Sequence, residues 1–137
     1  MPLHIIKLAV GADSIADLAA WQERRLRQLK KPQLTHVTRM TPKRRDEILA
    51  GGSLYWVIKG YTGIRQRIVD LKPAVKDGHP ACAIVYDPEI VPVSRRAQRA
   101  FQGWRYLKDA DAPRDLKRGE ADLPEDLQQA LGELGLL

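Results

Sequence analysis

Lys43, Arg44 and Arg45 follow Thr41-Pro42 directly. Thr is a good helix cap and Pro fits a first helical position, so the pattern predicts a short helix over 42–50, ended by Gly51-Gly52. Three cations in that first turn oppose the partly positive end of the helix. The conflict is relieved where the free backbone N–H groups and the cations hold an anion together, and phosphate is the usual one. The plainer alternative is a solvated turn whose charges splay apart or meet Asp46 and Glu47. Arg65 and Arg67 stand two apart in a predicted strand over 64–71, so their side chains leave on one face. They extend the same basic surface, or they guard an exposed edge strand against aggregation. Residues 94–108 look irregular, with a short strand over 104–107. Here Arg95, Arg96, Arg99 and Arg105 interleave with Phe101, Trp104 and Tyr106. Cations attract phosphates whatever the base sequence, and an aromatic face stacking on an unpaired base is worth about 1–3 kcal/mol. Phe101 and Trp104 equally suit the anchoring of a loop to the core, and for Trp104 the anchor is the better reading.

No catalytic residue is predicted. His4, His36 and His79 lie far apart with no helical spacing, so no metal site is read from them, although adjacent strands would bring His4 and His36 together. Cys82 lies in an apolar strand and reads as a small core residue. Asp70, Asp87 and Glu89 are the carboxylates nearest to strands, and no acid–base pair can be argued for them without proximity. Gly51-Gly52-Ser53 leaves a helix and enters a strand, the reverse of a phosphate loop. No cofactor is implied.

The elements that must position these residues follow from pattern. Residues 3–10 are apolar on both faces and read as a buried strand ending at Gly11. Ser14 and Asp17 form a capping box for a helix over about 15–30. Its stripe of Ile15, Leu18, Ala19, Leu26 and Leu29 is broken by Gln22, with Trp21 on the flank. Basic residues crowd its last turns and Pro32 stops it. Residues 34–40 read as a strand, and 53–59, apolar on both faces, as an interior one. A turn over 60–63 leads into the strand at 64–71. Asp77-Gly78 is a strong hairpin signal leading to a strand at 81–86, and 90–93 pairs as another. Residues 109–122 read as a polar linker. A closing helix over 123–137 carries Leu127, Leu131 and Leu134. The order predicts an α+β single domain with a mostly antiparallel or mixed sheet and two or three helices.

The 137 residues make one domain: basic α+β body 1–108, linker 109–122, C-terminal helix 123–137. Residues 1–108 carry 20 Lys and Arg against 9 Asp and Glu, a charge of +11, while 109–137 carry 3 against 8, a charge of -5. A basic body with an acidic tail implies a polyanionic partner. One cysteine excludes a disulfide framework, and no apolar run approaches the ~20 residues of a bilayer span. The opening residues lack the pattern of an export signal, so the expectation is a soluble cytoplasmic protein with no membrane partner.

PLHIIKLAVG at the start, GGSLYWVIKG followed by IRQR, and FQGWRYL later together resemble a bacterial, mainly alphaproteobacterial family, the domain of unknown function 1489. The likeness covers residues 1–115 and leaves the acidic tail outside its motifs. It implies a bacterial, cytoplasmic, single-domain protein, and no activity comes with it. The element order, with a helix ending in Gly-Gly, an apolar hairpin and further strands, also resembles small barrels of the PUA and ASCH type, which commonly bind RNA or modified bases.

Three functions remain open. The first is binding of RNA, ahead of duplex DNA, through Lys43, Arg44, Arg45, Arg65, Arg67, Arg95, Arg96, Arg99, Trp104 and Arg105. The second is a small enzyme or binding protein for an anionic metabolite or nucleotide, with the same cations lining a pocket. The third is a protein-interaction adaptor whose C-terminal helix docks on its own sheet, on a second copy as a homodimer, or on another protein.

Overall fold

The computed structural model describes residues 2–29, 33–99 and 101–117. The elements run β1 (Leu3–Leu8), α1 (Ile15–Gln28), β2 (Leu34–Thr38), α2 (Arg45–Leu49), β3 (Ser53–Ile58), β4 (Tyr61–Lys76), β5 (His79–Tyr86), β6 (Val91–Ala97) and β7 (Trp104–Lys108), followed by a 3-10 turn over Asp109–Asp111. The strands form one sheet in the order β2-β5-β4-β3-β1-β7, with β6 on β4. β1 and β3 are parallel and every other pair is antiparallel. The α+β expectation with a mixed sheet holds.

β1 and β3 are apolar on both faces because the sheet is covered on both. On one face Ile5, Leu54, Trp56, Ile64, Ile68, Ile84 and Tyr86 form the main core beneath α1 and α2. On the other, Ile6, Tyr55, Val57 and Val93 form a smaller one, packed by Phe101 and Leu107. β4 joins the two regions: 61–67 pair with β3, Ile68–Lys76 with β5, and Tyr61–Arg65 also with β6.

α1 starts as its capping pattern requires. The Ser14 hydroxyl accepts from the Asp17 N–H at 3.1 Å, and the Asp17 carboxylate accepts from the Asp13 N–H at 3.2 Å. Gln22, the interruption in the apolar stripe, is only 2% exposed. Its amide exchanges two hydrogen bonds with the Gln66 amide, at 2.9 and 2.7 Å, so it ties α1 to β4. A buried amide facing another amide is satisfied, which is why the polar residue is tolerated.

Four sequence expectations are corrected. α2 begins at Arg45 rather than at 42, because Arg44 is not helical (ψ 50°) and the N–H groups of Lys43 and Arg44 bond to the distant Tyr106 hydroxyl, at 3.0 and 3.3 Å. β4 begins at Tyr61 because Lys59 and Gly60, with φ of 48° and 81°, make the whole turn. Gly63 then lies inside the strand, where a Cβ would press on the Arg95 guanidinium at 3.4 Å. The strand expected over 90–93 does form, but it runs on to Ala97, so residues 94–97 are strand rather than irregular chain, since they complete the edge of β4. Residues 109–117 do not hang as a linker: Asp115 bridges to Val93, and the Ser94 N–H donates to the Arg114 carbonyl at 2.8 Å. Lys30, Lys31, Pro32 and the expected helix over 123–137 lie outside the described residues.

The sheet is open. β2 and β7, at its two ends, share no strand pairing, so a closed barrel is not formed that way. Side chains bridge the gap instead: the Trp104 indole N–H donates to the Met40 carbonyl at 2.8 Å, beside the Tyr106 contacts to Lys43 and Arg44.

Candidate functional site

The ten residues singled out in the sequence do not converge. Arg44 is ion-paired with Glu47 through both Nε and Nη2, which raises its pKa, and its guanidinium stands 5.7 Å from the Tyr106 ring centre. Arg45 donates to the Leu71 carbonyl and, at 2.9 Å, to Asp70. The Leu71 N–H first, and Arg45 second, hold Asp70 below its ordinary value. Two N–H groups at the start of α2 are thus spent on Tyr106, and α2 is a five-residue helix, so the anion site read there is filled by the protein itself. Lys43 is exposed.

Arg65 and Arg67 do share a face. Arg65 makes a bidentate pair with Asp115, at 2.8 and 2.7 Å, and donates to the Ser53 hydroxyl at 3.0 Å. Arg67 is exposed beside Asp87 and Glu89. Arg95 is 8% exposed, on the same side of the sheet as α1, against Gly63. Arg96 donates to the Asp111 carbonyl at 3.2 Å, Arg99 is exposed, and Arg105 lies 4.7 Å over the Phe101 ring. Trp104 is half-buried against the main core, as an anchor.

Two concavities differ in what they hold. The first, about 430 Å³, holds His4, Ser53, Tyr55, Arg65, Asp109 and Asp115. It resembles an acid–base cluster, but its groups are committed to one another. His4 Nε2 lies 2.8 Å from Asp109, and His4 Nδ1 accepts from the Ser53 N–H at 2.9 Å, so neither ring nitrogen is left to act as a base. Burial pushes the Tyr55 phenol up to about 12, so it stays neutral. This cluster clamps 109–117 onto the sheet. His4 and His36 are not neighbours, because β1 and β2 are separated by three strands. Among the described residues no group of three His, Cys, Asp or Glu could hold a metal.

The second concavity, about 450 Å³, opens between the β1–α1 loop, one face of α1 and the strands beneath. Ala9, Val10 and Leu18 make its apolar wall, and Trp21, His36 and Trp56 bring three rings to it. The His36 and Trp56 rings meet edge to face with centres 5.4 Å apart. Trp56 is held by its N–H to Gln66 at 2.9 Å. Val10 is 85% and Trp21 45% exposed, an unusual loss of apolar burial for two side chains that line one crevice. Burial, then Lys7, then Lys76, lowers His36 to about 4, so its ring is neutral at pH 7. Its Nε2 is buried and bonds to none of the described groups. Lys7, half-buried beside Trp56 in register, is itself lowered by burial and by Lys76. Arg24 adds a further cation to the lining. The crevice therefore offers the exposed ring of Trp21, a neutral imidazole and a mixed charge in which Arg24, Lys7 and Lys76 outnumber Asp17. It lacks a nucleophile paired with a base.

None of these crevice residues was among the ten. Trp21 was legible as a tryptophan off the buried stripe, but Lys7, His36, Trp56 and Lys76 meet only through the strand order.

Among the described residues no helix is long and apolar enough to cross a membrane. No curated protein and no solved structure matches the chain. A family model described as protein of unknown function (DUF1489) matches residues 5–137, so the acidic tail lies within the family's extent and not beyond it. With nearly every residue covered, the chain belongs to the DUF1489 family.

Proposed function

We propose that the protein binds nucleic acid, RNA ahead of duplex DNA, on the side of the sheet covered by α1. One observation carries this reading: half-buried Lys7 stands in register with Trp56, near enough to Lys76 for the two cations to repel, beside a crevice lined by Trp21, Arg24, His36 and Trp56. Like charges held together at a partly buried site raise the local positive potential and attract a polyanion. The +11 of residues 1–108 supplies long-range attraction of the same sign. Exposed Lys43, Arg67, Arg99 and Arg105 extend it over other faces. The near-meeting of β2 and β7 adds to the likeness with small PUA-type barrels, and the resemblance of the sequence motifs to a mainly alphaproteobacterial family supports a bacterial, cytoplasmic setting.

The test is filter binding of a single-stranded RNA and of a DNA duplex between about 50 and 200 mM salt. The expected result is binding that weakens with salt, with a log–log slope near 0.7 per phosphate contact on the single strand. Absence of binding, or binding indifferent to salt, sinks the reading. A second reading, an anionic nucleotide as free ligand, is favoured by the crevice's 450 Å³, which lies within the ~300–1,000 Å³ typical of small-molecule sites.

A further inference from the structure

We propose that the crevice between α1 and β3 seats a single unpaired nucleobase, stacked on Trp21, with its phosphate directed to Lys7, Lys76 and Arg24. The proposal rests on the nucleic-acid reading above and names what part of the polymer is recognised.

Three features of the site select this occupant. Its wall combines aromatic rings with short apolar side chains, and Trp21 is left 45% exposed where a stacking partner would cover it. A planar heterocycle gains from that surface without sequence selection, since every base has a π-face. The site's one histidine is neutral, so it presents no charge to a neutral base. Three cations neighbour the rings: Lys7 in register with Trp56, Lys76 at the tip of the β4–β5 hairpin and near enough to act on His36, and Arg24 one turn along α1 from Trp21, with Asp17 as the carboxylate of the lining. A nucleotide has the matching parts, a flat uncharged ring with an anion a few ångströms away. A lipid chain would leave the rings' polar edges and the cations unused. A paired base inside a duplex shows no face to stack on, so a base must be unpaired to enter.

The test uses the full chain with four probes: adenosine 5′-monophosphate, adenosine, a single-stranded oligoadenylate and a blunt RNA duplex. Binding is read by tryptophan fluorescence and by anisotropy. Trp21→Ala is expected to weaken the single strand about tenfold or more while leaving the duplex nearly unchanged. Trp21→Phe keeps a ring and recovers part of the loss. Lys76→Glu weakens the monophosphate and both polymers, and adenosine binds more weakly than its monophosphate. Should Trp21→Ala leave the single strand unchanged, or weaken duplex and single strand alike, the base seat is wrong while the nucleic-acid reading survives. Should no polymer bind but the monophosphate bind in a Trp21-dependent way, the seat stands and the polymer reading falls. Should no probe bind, both fall. Trp21 lies on the exposed flank of α1, and unchanged thermal melting of both variants confirms that binding, not folding, is being measured.

Discussion

The His36 imidazole is held at about 4, against an ordinary 6.5, by burial and by Lys7 and Lys76. Unfolding restores the ordinary value, so below pH 6.5 the unfolded chain takes a proton that the folded one refuses. Stability is therefore complete above about pH 6.5, falls between 6.5 and 4, and stops falling from this cause once the folded ring protonates. The loss is on the order of 2 kcal/mol, after discounting for a ring partly open to solvent. Urea unfolding of wild type and His36→Leu at pH 7 and pH 5 checks it: the wild type should lose more between the two values, and parallel losses would show that His36 does not titrate in this window. Gln66 invites a second substitution. Its carbonyl accepts from both Gln22 and the Trp56 indole, and its NH2 donates to Gln22 and to the Asp87 carbonyl. Gln66→Leu strands two buried donors and should cost about 2–4 kcal/mol, whereas Gln22→Leu leaves Gln66 and Trp56 bonded and should cost about half as much. Equal costs in urea denaturation would contradict the network.

α2 and the strand it delivers are set by an approach that only glycine permits. A Cβ on Gly52 would collide with the carbonyl oxygens of Leu3 and Ile48, both main-chain atoms of packed elements. Gly52→Ala should cost about 3 kcal/mol in thermal or urea unfolding, while Gly78→Ala, in an open hairpin turn at φ 78°, should cost about 1 kcal/mol from its backbone conformation alone. The contrast shows how far elements were legible. The turn at Asp77-Gly78 was plain because a local dipeptide makes it. The turn at Lys59-Gly60 was not, because a lysine in the left-handed region carries no such signal. Thr41-Pro42 is a sound local start signal, yet α2 opens three residues later because Tyr106, more than sixty residues away, takes the N–H groups. The candidate site fared like α2: its side chains come from β1, α1, β2, β3 and the β4–β5 hairpin, and no sequence window contains two of the rings and a partner cation in their spatial order.

At the scale of the molecule, 109–117 is a strap across the second face of the sheet, tied by Asp109 to His4 and by Asp115 to Arg65. Arg65 holds the Asp115 carboxyl below its ordinary value, so this tie is present near neutral pH and weakens as pH falls into the carboxylate range. Asp115→Asn should loosen the strap and speed tryptic cleavage after Arg114 at pH 7, with a small fall in melting temperature; unchanged cleavage would mean that the backbone bonds to Pro92 and Ser94 suffice. The place of β1 has a kinetic consequence. β3 to β6 can pair with near neighbours in sequence as they form, but the first strand lies between β3 and β7, and Leu3 pairs with Lys108. Contacts so distant in sequence must overcome loop-closure entropy before they stabilise anything, so β1 and β7 should gain amide-exchange protection together and late on refolding, and open together first in the native state. A chain leaving the ribosome would carry its apolar Leu3–Leu8 segment without its second edge partner until Trp104–Lys108 has been made, the interval in which a nascent molecule is most exposed to aggregation and to chaperones.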